Sequence, residues 1–138
     1  MRDITGGCQC GAVRYAIRGD IPECNLCHCR MCQKAGGGPF MVFIALPADR
    51  VTWTAGLPTL YPSSSVATRG FCSACGTPLT YQFKPERLSL THGSLDDPTV
   101  IAPTERLSSE TVLPWASTSA NYRSSRWPTG WRGCPTAG

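Results

Sequence analysis

The segment Cys24-Asn-Leu-Cys-His-Cys-Arg-Met-Cys32, followed directly by Gln33-Lys-Ala-Gly-Gly-Gly-Pro39, places four thiols and one imidazole within nine residues. Side chains of an extended segment alternate between its two faces, so Cys27 and Cys29 point to the same side. A turn after Cys29 can bring Cys32 back toward the same point. The spacing therefore predicts that three thiolates converge on one metal ion.

Two interpretations of Cys24 stay open, because it lies three residues before Cys27. The CxxC spacing allows Cys24 to be a fourth ligand, which would close the site and make the metal structural. Strand alternation from Ile21 instead puts Cys24 on the face opposite Cys27, as a small buried side chain. We favour the second interpretation, which leaves one open coordination position, as in catalytic zinc sites.

Length and composition favour one domain that is mainly β. The chain has 138 residues, and its 14 Gly and 12 Pro indicate many turns and little helix. Alternation at Val13, Tyr15 and Ile17 predicts a half-buried strand, and the apolar run 40–46 predicts a strand buried on both faces. Further strands are predicted at 21–27, 51–54, 66–71, 79–83 and 88–91, one helical turn at 30–34 and a loop at 60–65.

The domain is predicted to span residues 1–115. After residue 113 the periodic pattern fades, and residues 116–138 are rich in Ser and Pro. This composition predicts a tail that is partly irregular or disordered, in which Cys134 is an incidental thiol.

The distribution of charge argues against nucleic acid and membrane as partners. The net charge of +4 is spread along the chain without a basic block, and aromatic residues are not interleaved with clustered Lys or Arg. A nucleic-acid-binding zinc ribbon is therefore a weak alternative. No signal-peptide pattern or membrane-length apolar run is evident, so a cytoplasmic location is expected. In that reducing compartment nine cysteines, an odd number in tight spacings, favour metal over disulfides.

A second set of cysteines has the spacing of a closed zinc site. Cys8 and Cys10 form one short pair, and Cys72 and Cys75 form another about sixty residues later. Pairs on strand ends or tight turns are the usual way to assemble a tetrahedral Cys₄ site, and closing so long a loop through a metal would contribute to folding. The sequence thus predicts two zinc ions per chain, one of them structural.

Four motifs together resemble the glutathione-dependent formaldehyde-activating enzyme family. They are Gly7-Cys-Gln-Cys-Gly-Ala-Val-Arg-Tyr15, Cys27-His-Cys-Arg-Met-Cys-Gln-Lys34, Arg69-Gly-Phe-Cys-Ser-Ala-Cys-Gly-Thr77 and His92-Gly-Ser-Leu-Asp-Asp-Pro98. The resemblance spans most of residues 6–115 and implies an Mss4-like fold of small antiparallel sheets held by zinc. It also implies the ligands of the two ions: Cys8, Cys10, Cys72 and Cys75 for a structural zinc, and Cys27, Cys29 and Cys32 for a second zinc. Two positions depart from the family pattern, since Arg106 stands where members often have histidine and Ser108 where an aromatic residue often follows.

The activity that the resemblance implies is a carbon–sulfur lyase reaction, the reversible addition of glutathione to formaldehyde to give S-(hydroxymethyl)glutathione. Cys27, Cys29 and Cys32 would be the catalytic residues, because they hold the zinc that delivers the thiolate. Lys34 and the backbone of residues 36–38, Gly37 among them, are candidates for contacts with a glutathione carboxylate, and Arg69 and Arg106 are further candidates. The alternatives are a plain loop with an exposed lysine and, for the two arginines, solvated strand residues. The alternative is a non-catalytic zinc scaffold that binds a protein partner. The sequence does not predict the oligomeric state.

Two histidines flank these motifs. His28 is expected to point away from a metal held by its neighbours Cys27 and Cys29, either supporting the site or exposed to solvent. His92 is either a proton shuttle or, as is commoner for a histidine before a turn, a structural residue.

Overall fold

The computed structural model describes residues 3–117 and 122–123. The described part contains ten strands and one α-helix: β1 (Ile4–Gly7), β2 (Arg14–Ile17), β3 (Glu23–Cys27), α1 (Arg30–Gly36), β4 (Met41–Pro47), β5 (Val51–Ala55), β6 (Thr59–Pro62), β7 (Thr68–Phe71), β8 (Pro78–Gln82), β9 (Arg87–Thr91) and β10 (Glu105–Leu107). Five short 3₁₀ helices lie at Ala48–Arg50, His92–Ser94, Pro98–Val100, Ser109–Thr111 and Pro114–Ser117. The prediction of a mainly β fold with little helix is confirmed. The predicted tail and Cys134 lie largely outside the described residues.

The smaller sheet has three antiparallel strands in the order β1-β2-β5. On β2, Tyr15 and Ile17 are fully buried whereas Arg14 and Ala16 are half-buried. This alternation is the one that the sequence predicts. It directs the apolar face of the smaller sheet into the main core.

The larger sheet has seven strands in the order β10-β3-β4-β9-β8-β7-β6. Its pairs are antiparallel except for β10, which runs parallel to β3. The resemblance implies small antiparallel sheets, whereas this sheet has seven strands and one parallel edge. Among the described residues, no helix has the length and apolarity needed to cross a bilayer.

The strand β4 separates two apolar clusters. On one of its faces, Ile44 pairs in register with Cys24 and Leu90, and all three belong to the main core together with Tyr15 of the smaller sheet. Each fully buried large apolar side chain in such a core contributes about 1.5–3 kcal/mol of transfer free energy. The main core therefore holds the two sheets together.

On its opposite face, β4 contributes to a second apolar cluster. Met41 and Phe43 are buried there against Cys32 of α1, with Tyr81 of β8 packed beside them. The predicted burial of residues 40–46 on both faces is thus confirmed for β4. This face of the larger sheet carries Cys27, Cys29 and Cys32.

Three features of the fold correct the sequence analysis. Residues 60–62 belong to β6 rather than to a loop. Pro62 does not prevent this, because β6 is at the edge of the sheet, where fewer ladder hydrogen bonds are needed. The strands β1 and β10 were not predicted. Two of the four residues of β1 are glycine and β10 has only three residues, so both strands have too few side chains to show a period of two.

Polar contacts tie the smaller sheet to the loop after β9. The Tyr15 hydroxyl lies 2.7 Å from the Ser94 hydroxyl. Asp96 forms an ion pair with Arg14 and accepts a hydrogen bond from the Thr5 hydroxyl at 2.6 Å. The hydrogen bond from Arg14 holds the pKa of the Asp96 carboxyl below its usual range.

Candidate metal centres

The first cluster consists of the sulfur atoms of Cys8, Cys10, Cys72 and Cys75, which all lie within 4.8 Å of one another. The Sγ atoms of Cys8 and Cys10 are 3.6 Å apart, and those of Cys10 and Cys72 are 3.8 Å apart. A tetrahedral ion with Zn–S bonds of about 2.3 Å separates its ligands by roughly 3.8 Å. The cluster therefore has the donors and the spacing that a closed zinc site requires.

Two tight turns deliver these thiols. In one turn the N–H of Cys8 donates to the carbonyl of Val13, and the Val13 N–H donates to Cys8 Sγ at 3.2 Å. In the other, the Gly76 N–H donates to the Cys72 carbonyl at 2.7 Å, and Gly76 has φ +82°, a conformation that favours glycine. Hydrogen bonds from Thr77 lower the pKa of the Cys75 thiol to about 5. The first turn leads into β2 and the second joins β7 to β8, so the cluster links the two sheets.

The second cluster consists of Cys27, Cys29 and Cys32, whose Sγ atoms also lie within 4.8 Å of one another. Cys27 ends β3, and Cys29 is the N-cap of α1, its sulfur accepting the N–H of Cys32 at 3.3 Å. The helical turn returns Cys32 to the other two thiols, as the sequence predicts. Thiolate donors of this kind suit zinc and other soft metals.

The backbone of His28 fixes the turn that carries Cys27 and Cys29. Its carbonyl accepts hydrogen bonds from Gln33 Nε2 at 2.9 Å and from the Thr111 hydroxyl at 2.8 Å, and its N–H donates to the Leu107 carbonyl at 3.1 Å. Gln33 is buried and also donates to the Thr111 carbonyl. Gln33 was not predicted as a site residue, and its position directly after Cys32 is the signal that could have indicated it.

Arg69 is buried beside Cys32. Its guanidinium donates to Cys32 Sγ at 3.4 Å and to the sulfur of Met41 at 3.6 Å, and its Cζ atom lies 4.9 Å from the centre of the Tyr81 ring. In the part of the chain that the structure describes, no carboxylate pairs with Arg69. A buried cation requires a compensating anion, so the thiolates of the second cluster are its electrostatic partners.

The thiols of Cys29 and Cys32, at the two ends of the helical turn, differ in pKa. Burial raises the pKa of the Cys32 thiol to about 12, although Arg69 acts in the opposite direction. Burial also opposes ionisation of Cys29, yet hydrogen bonds from Cys32 hold the Cys29 pKa below its ordinary value. A metal ion displaces the protons of its thiol ligands. Because its pKa is lower, Cys29 loses its proton to the metal more readily than Cys32 does.

A cavity of about 240 Å³ opens beside the second cluster. It is lined by Glu23, Asn25, Cys27, Cys29, Met31, Cys32, Phe43, Ala45, Arg69, Tyr81, Arg87, Ser89 and Leu107. Apolar and aromatic side chains such as Phe43 surround the thiols, and an exposed ion pair between Glu23 and Arg87 lies farther along. Small, mostly apolar cavities with a few polar groups are the usual form of ligand sites.

Two residues predicted to contact glutathione lie outside this cavity. The exposed Lys34 lines a separate shallow depression that it shares with Arg69 and Tyr61. Gly37 has φ +72° and ends α1, where its N–H donates to the Gln33 carbonyl. That N–H is therefore already occupied.

The histidines and Arg106 also point elsewhere. His28 is buried and packs its ring against Phe40 with centroids 5.4 Å apart, and burial followed by the charge of Arg106 lowers its pKa. Among the described residues, neither ring nitrogen of His28 has a hydrogen-bond partner of normal geometry. His92 places Nε2 2.8 Å from the Ile101 carbonyl, which is a structural contact. On β10, it is Leu107 rather than Arg106 that lines the cavity.

Cys24 lies in the main core and not with the second cluster. It is 2% exposed and pairs in register with Ile44, and burial raises the pKa of its thiol. We therefore expect Cys24→Ser to leave metal content unchanged and to lower stability by about 1–2 kcal/mol, because a hydroxyl replaces a buried thiol. Elemental analysis with urea unfolding checks this. Loss of metal comparable to that of Cys29→Ser would contradict it.

The fold and the two clusters define a class: a small, mainly β protein whose cysteine sets could hold metal ions. Residues 3–110 match the family described as glutathione-dependent formaldehyde-activating enzyme. The chain belongs to this family, which confirms the resemblance in the sequence. Proteins of the family differ in length, and the chain spans about half to three quarters of the relatives described next.

A Halomonas elongata protein named for the same family is 33% identical over 114 residues, covering 75% of this chain and 72% of that protein. An uncharacterized lyase of Schizosaccharomyces pombe is 32% identical over 83 residues, 60% of each chain. A Talaromyces marneffei protein named for the family is 28% identical, and the match covers 51% of its length. A crystal structure of a Rhodobacter sphaeroides protein has a TM-score of 0.60 at 21% identity, covering 75% of this chain and 99% of that one, a likeness of fold.

Proposed function

We propose that the chain is a zinc-dependent carbon–sulfur lyase that acts on the adduct of glutathione with formaldehyde, or of a related thiol with a related small electrophile. The observation that carries the proposal is the convergence of Cys27, Cys29 and Cys32 beside a cavity. Three thiols leave a tetrahedral ion one open position, whereas the four-thiol cluster is closed. Family membership and the name of the Schizosaccharomyces pombe lyase support the same class.

The reaction forms one carbon–sulfur bond. The thiol sulfur attacks the formaldehyde carbon, the carbonyl π electrons move to oxygen, and the proton lost by the thiol ends on that oxygen. The reverse reaction breaks the bond and releases both components. A zinc ion held by Cys27, Cys29 and Cys32 would lower the pKa of a thiol bound at its open position, so that the sulfur is present as thiolate near neutral pH.

The chain's own residues would position the thiolate and limit access of water. Arg69 holds Cys32 by a hydrogen bond and compensates negative charge at the cluster. Phe43 and Tyr81 pack with ring centroids 6.0 Å apart and form the apolar wall of the cavity. An apolar wall strengthens the attraction between Arg69 and thiolate sulfur, because the local dielectric constant is low.

Proton transfer would use water at the mouth of the cavity. None of the described residues that line the cavity is a histidine, since His28 packs on Phe40 and His92 contacts the Ile101 carbonyl. The proton leaving the thiol and the proton reaching the product oxygen would therefore exchange with solvent. A histidine replacement such as His92→Gln should leave the exchange rate within about twofold, given that general acid–base groups contribute 10²–10⁴-fold.

A reducing compartment, which we take to be the cytoplasm, suits this chemistry. The eight described cysteines are all free thiols, and they include the first and second clusters, both of which have metal-binding geometry. In an oxidising compartment neighbouring thiols would be lost to disulfides. The proposed partner is a small thiol rather than nucleic acid or a membrane.

The decisive experiment measures exchange between glutathione plus formaldehyde and S-(hydroxymethyl)glutathione at equilibrium by NMR exchange spectroscopy. The adduct also forms without enzyme, so the zinc-loaded protein must accelerate exchange at least tenfold over that background. Cys29→Ser should return the rate to background, because the second cluster loses a ligand. An equal rate for the wild type and Cys29→Ser would refute the proposal and favour a scaffold role.

A further inference from the structure

One face of the larger sheet runs from the thiols to the exposed ion pair. On β3, the side chains of Cys27, Asn25 and Glu23 alternate onto the face that lines the cavity. On β9, Ser89 and Arg87 do the same, two residues apart. The cavity therefore has a thiol end and a charged end on one continuous surface.

The charged end presents one fixed charge of each sign. Arg87 Nη2 and the Glu23 carboxylate form an ion pair whose side chains are 49% and 38% exposed. Asn25, which is buried, orients the Glu23 carboxylate by donating to its Oε1 atom at 3.1 Å. An ion pair this exposed contributes little to folding, so a ligand can open it at little cost.

Glutathione has a complementary group at one of its ends. The α-carbon of its γ-glutamyl residue carries an ammonium and a carboxylate, whereas its glycine end carries a carboxylate alone. We infer that Glu23 and Arg87 recognise the γ-glutamyl end of the thiol, Arg87 binding the carboxylate and Glu23 the ammonium. This inference rests on the proposed thiol chemistry at the second cluster. A lone glycine carboxylate would be repelled by Glu23, which is why the glutamyl end is the one assigned.

The dimensions agree with this orientation. Residues 23–27 of β3 cover roughly 13 Å at about 3.3 Å per residue. The γ-glutamyl α-carbon lies roughly 9 Å from the cysteine sulfur in extended glutathione, and the long side chains of Glu23 and Arg87 bridge the remainder. The cavity of about 240 Å³ is smaller than the usual 300–1,000 Å³ of ligand pockets. It therefore suits the cysteinyl and glutamyl parts and leaves glycine toward solvent.

The inference is tested by calorimetric titration of the zinc-loaded full chain with three thiols. These are glutathione, glutaryl-cysteinylglycine, which lacks the α-ammonium, and 4-aminobutanoyl-cysteinylglycine, which lacks the α-carboxylate. The wild type should bind glutathione about tenfold more tightly than either analogue, as expected for loss of one charge-assisted hydrogen bond.

Variants assign each charge to its partner. Arg87→Gln should weaken glutathione binding about tenfold and leave the 4-aminobutanoyl analogue unaffected, because that ligand has no α-carboxylate to lose. Glu23→Gln should likewise weaken glutathione binding about tenfold and leave the glutaryl analogue unaffected, because that ligand has no α-ammonium to lose. Arg18→Gln, which removes an exposed arginine next to the smaller sheet, serves as the charge control and should bind glutathione like the wild type.

The outcomes separate this inference from the proposed function. If all three thiols bind the wild type and both variants equally, the assignment of Glu23 and Arg87 is overturned while the thiol site stands. If none of the thiols binds the zinc-loaded wild type, the thiol site itself is refuted, and the inference with it. The crossed pattern of ligand and variant supports the inference, since a merely structural effect of either substitution would weaken all three ligands alike.

Discussion

Cys72→Ser should prevent cooperative folding, whereas Cys29→Ser should give a folded chain that has lost metal only from the second cluster. Cys72 is 1% exposed and lies in the first cluster, which connects the two sheets through turns at both ends of a long loop. Binding of a structural metal is itself folding free energy. We therefore expect Cys72→Ser to cost at least about 4 kcal/mol, at the extreme of single substitutions.

Cys29 has a different structural setting. It is half-buried at the start of α1, on the side of the larger sheet away from the smaller one, so its loss leaves the main core intact. Urea unfolding followed by circular dichroism, together with zinc content per chain, distinguishes the variants. A wild type with a single zinc, or identical behaviour of the two variants, would be inconsistent with separate structural and exchangeable sites.

The sequence predicts most strands because their side chains report burial. Tyr15 and Ile17 alternate with half-buried neighbours, and the run at 40–46 is apolar on both faces because β4 lies between two clusters. Alternation also predicts the position of Cys24, which faces Ile44 in the main core. Local pattern is sufficient wherever a strand is long enough to show its period.

Elements that depend on distant partners are beyond such patterns. The strand β10 exists because Glu105–Leu107 pairs with β3, and its three residues carry no periodic signal. The strand β6 has four exposed residues and ends at Pro62, a composition that is equally typical of a loop. In both cases tertiary pairing, rather than local preference, decides the conformation.

The candidate site also has one part that the sequence predicts and one part that it does not. Thiol spacing within nine residues predicts that Cys27, Cys29 and Cys32 converge, because the chain between them is too short to allow much else. The cavity wall instead combines residues from β3, β4, α1, β7, β8, β9 and β10. Arg69 was expected to contact a ligand anion, but its contact with Cys32 depends on the register of four strand pairs, from β3 to β7. Sequence alone does not fix such a register.

Arg69→Met should weaken zinc binding at the second cluster about a hundredfold. The apo cluster with three protonated thiols is neutral, whereas the loaded cluster of three thiolates and Zn²⁺ carries one negative charge. The guanidinium of Arg69, buried 3.4 Å from Cys32 Sγ, therefore favours the loaded state. Removing a partner that hydrogen-bonds to a metal ligand typically lowers metal affinity 10–100-fold. Methionine keeps an unbranched chain that packs beside Met41 and Tyr81.

Arg69→Lys should restore most of the affinity, since it returns the positive charge although not the planar guanidinium that stacks on Tyr81. Competition with a chromophoric chelator measures the zinc affinity, and the thiolate-to-cobalt charge-transfer bands of the cobalt-substituted protein report the second cluster directly. Arg106→Met removes an equal charge from a residue outside the cavity lining and is the matched control. Undiminished zinc affinity in Arg69→Met, or an equal loss in Arg106→Met, would show that Arg69 does not stabilise the metal-bound thiolates. If affinity falls in Arg69→Met and recovers in Arg69→Lys, the charge of Arg69 is what holds Cys32 in its ionised form.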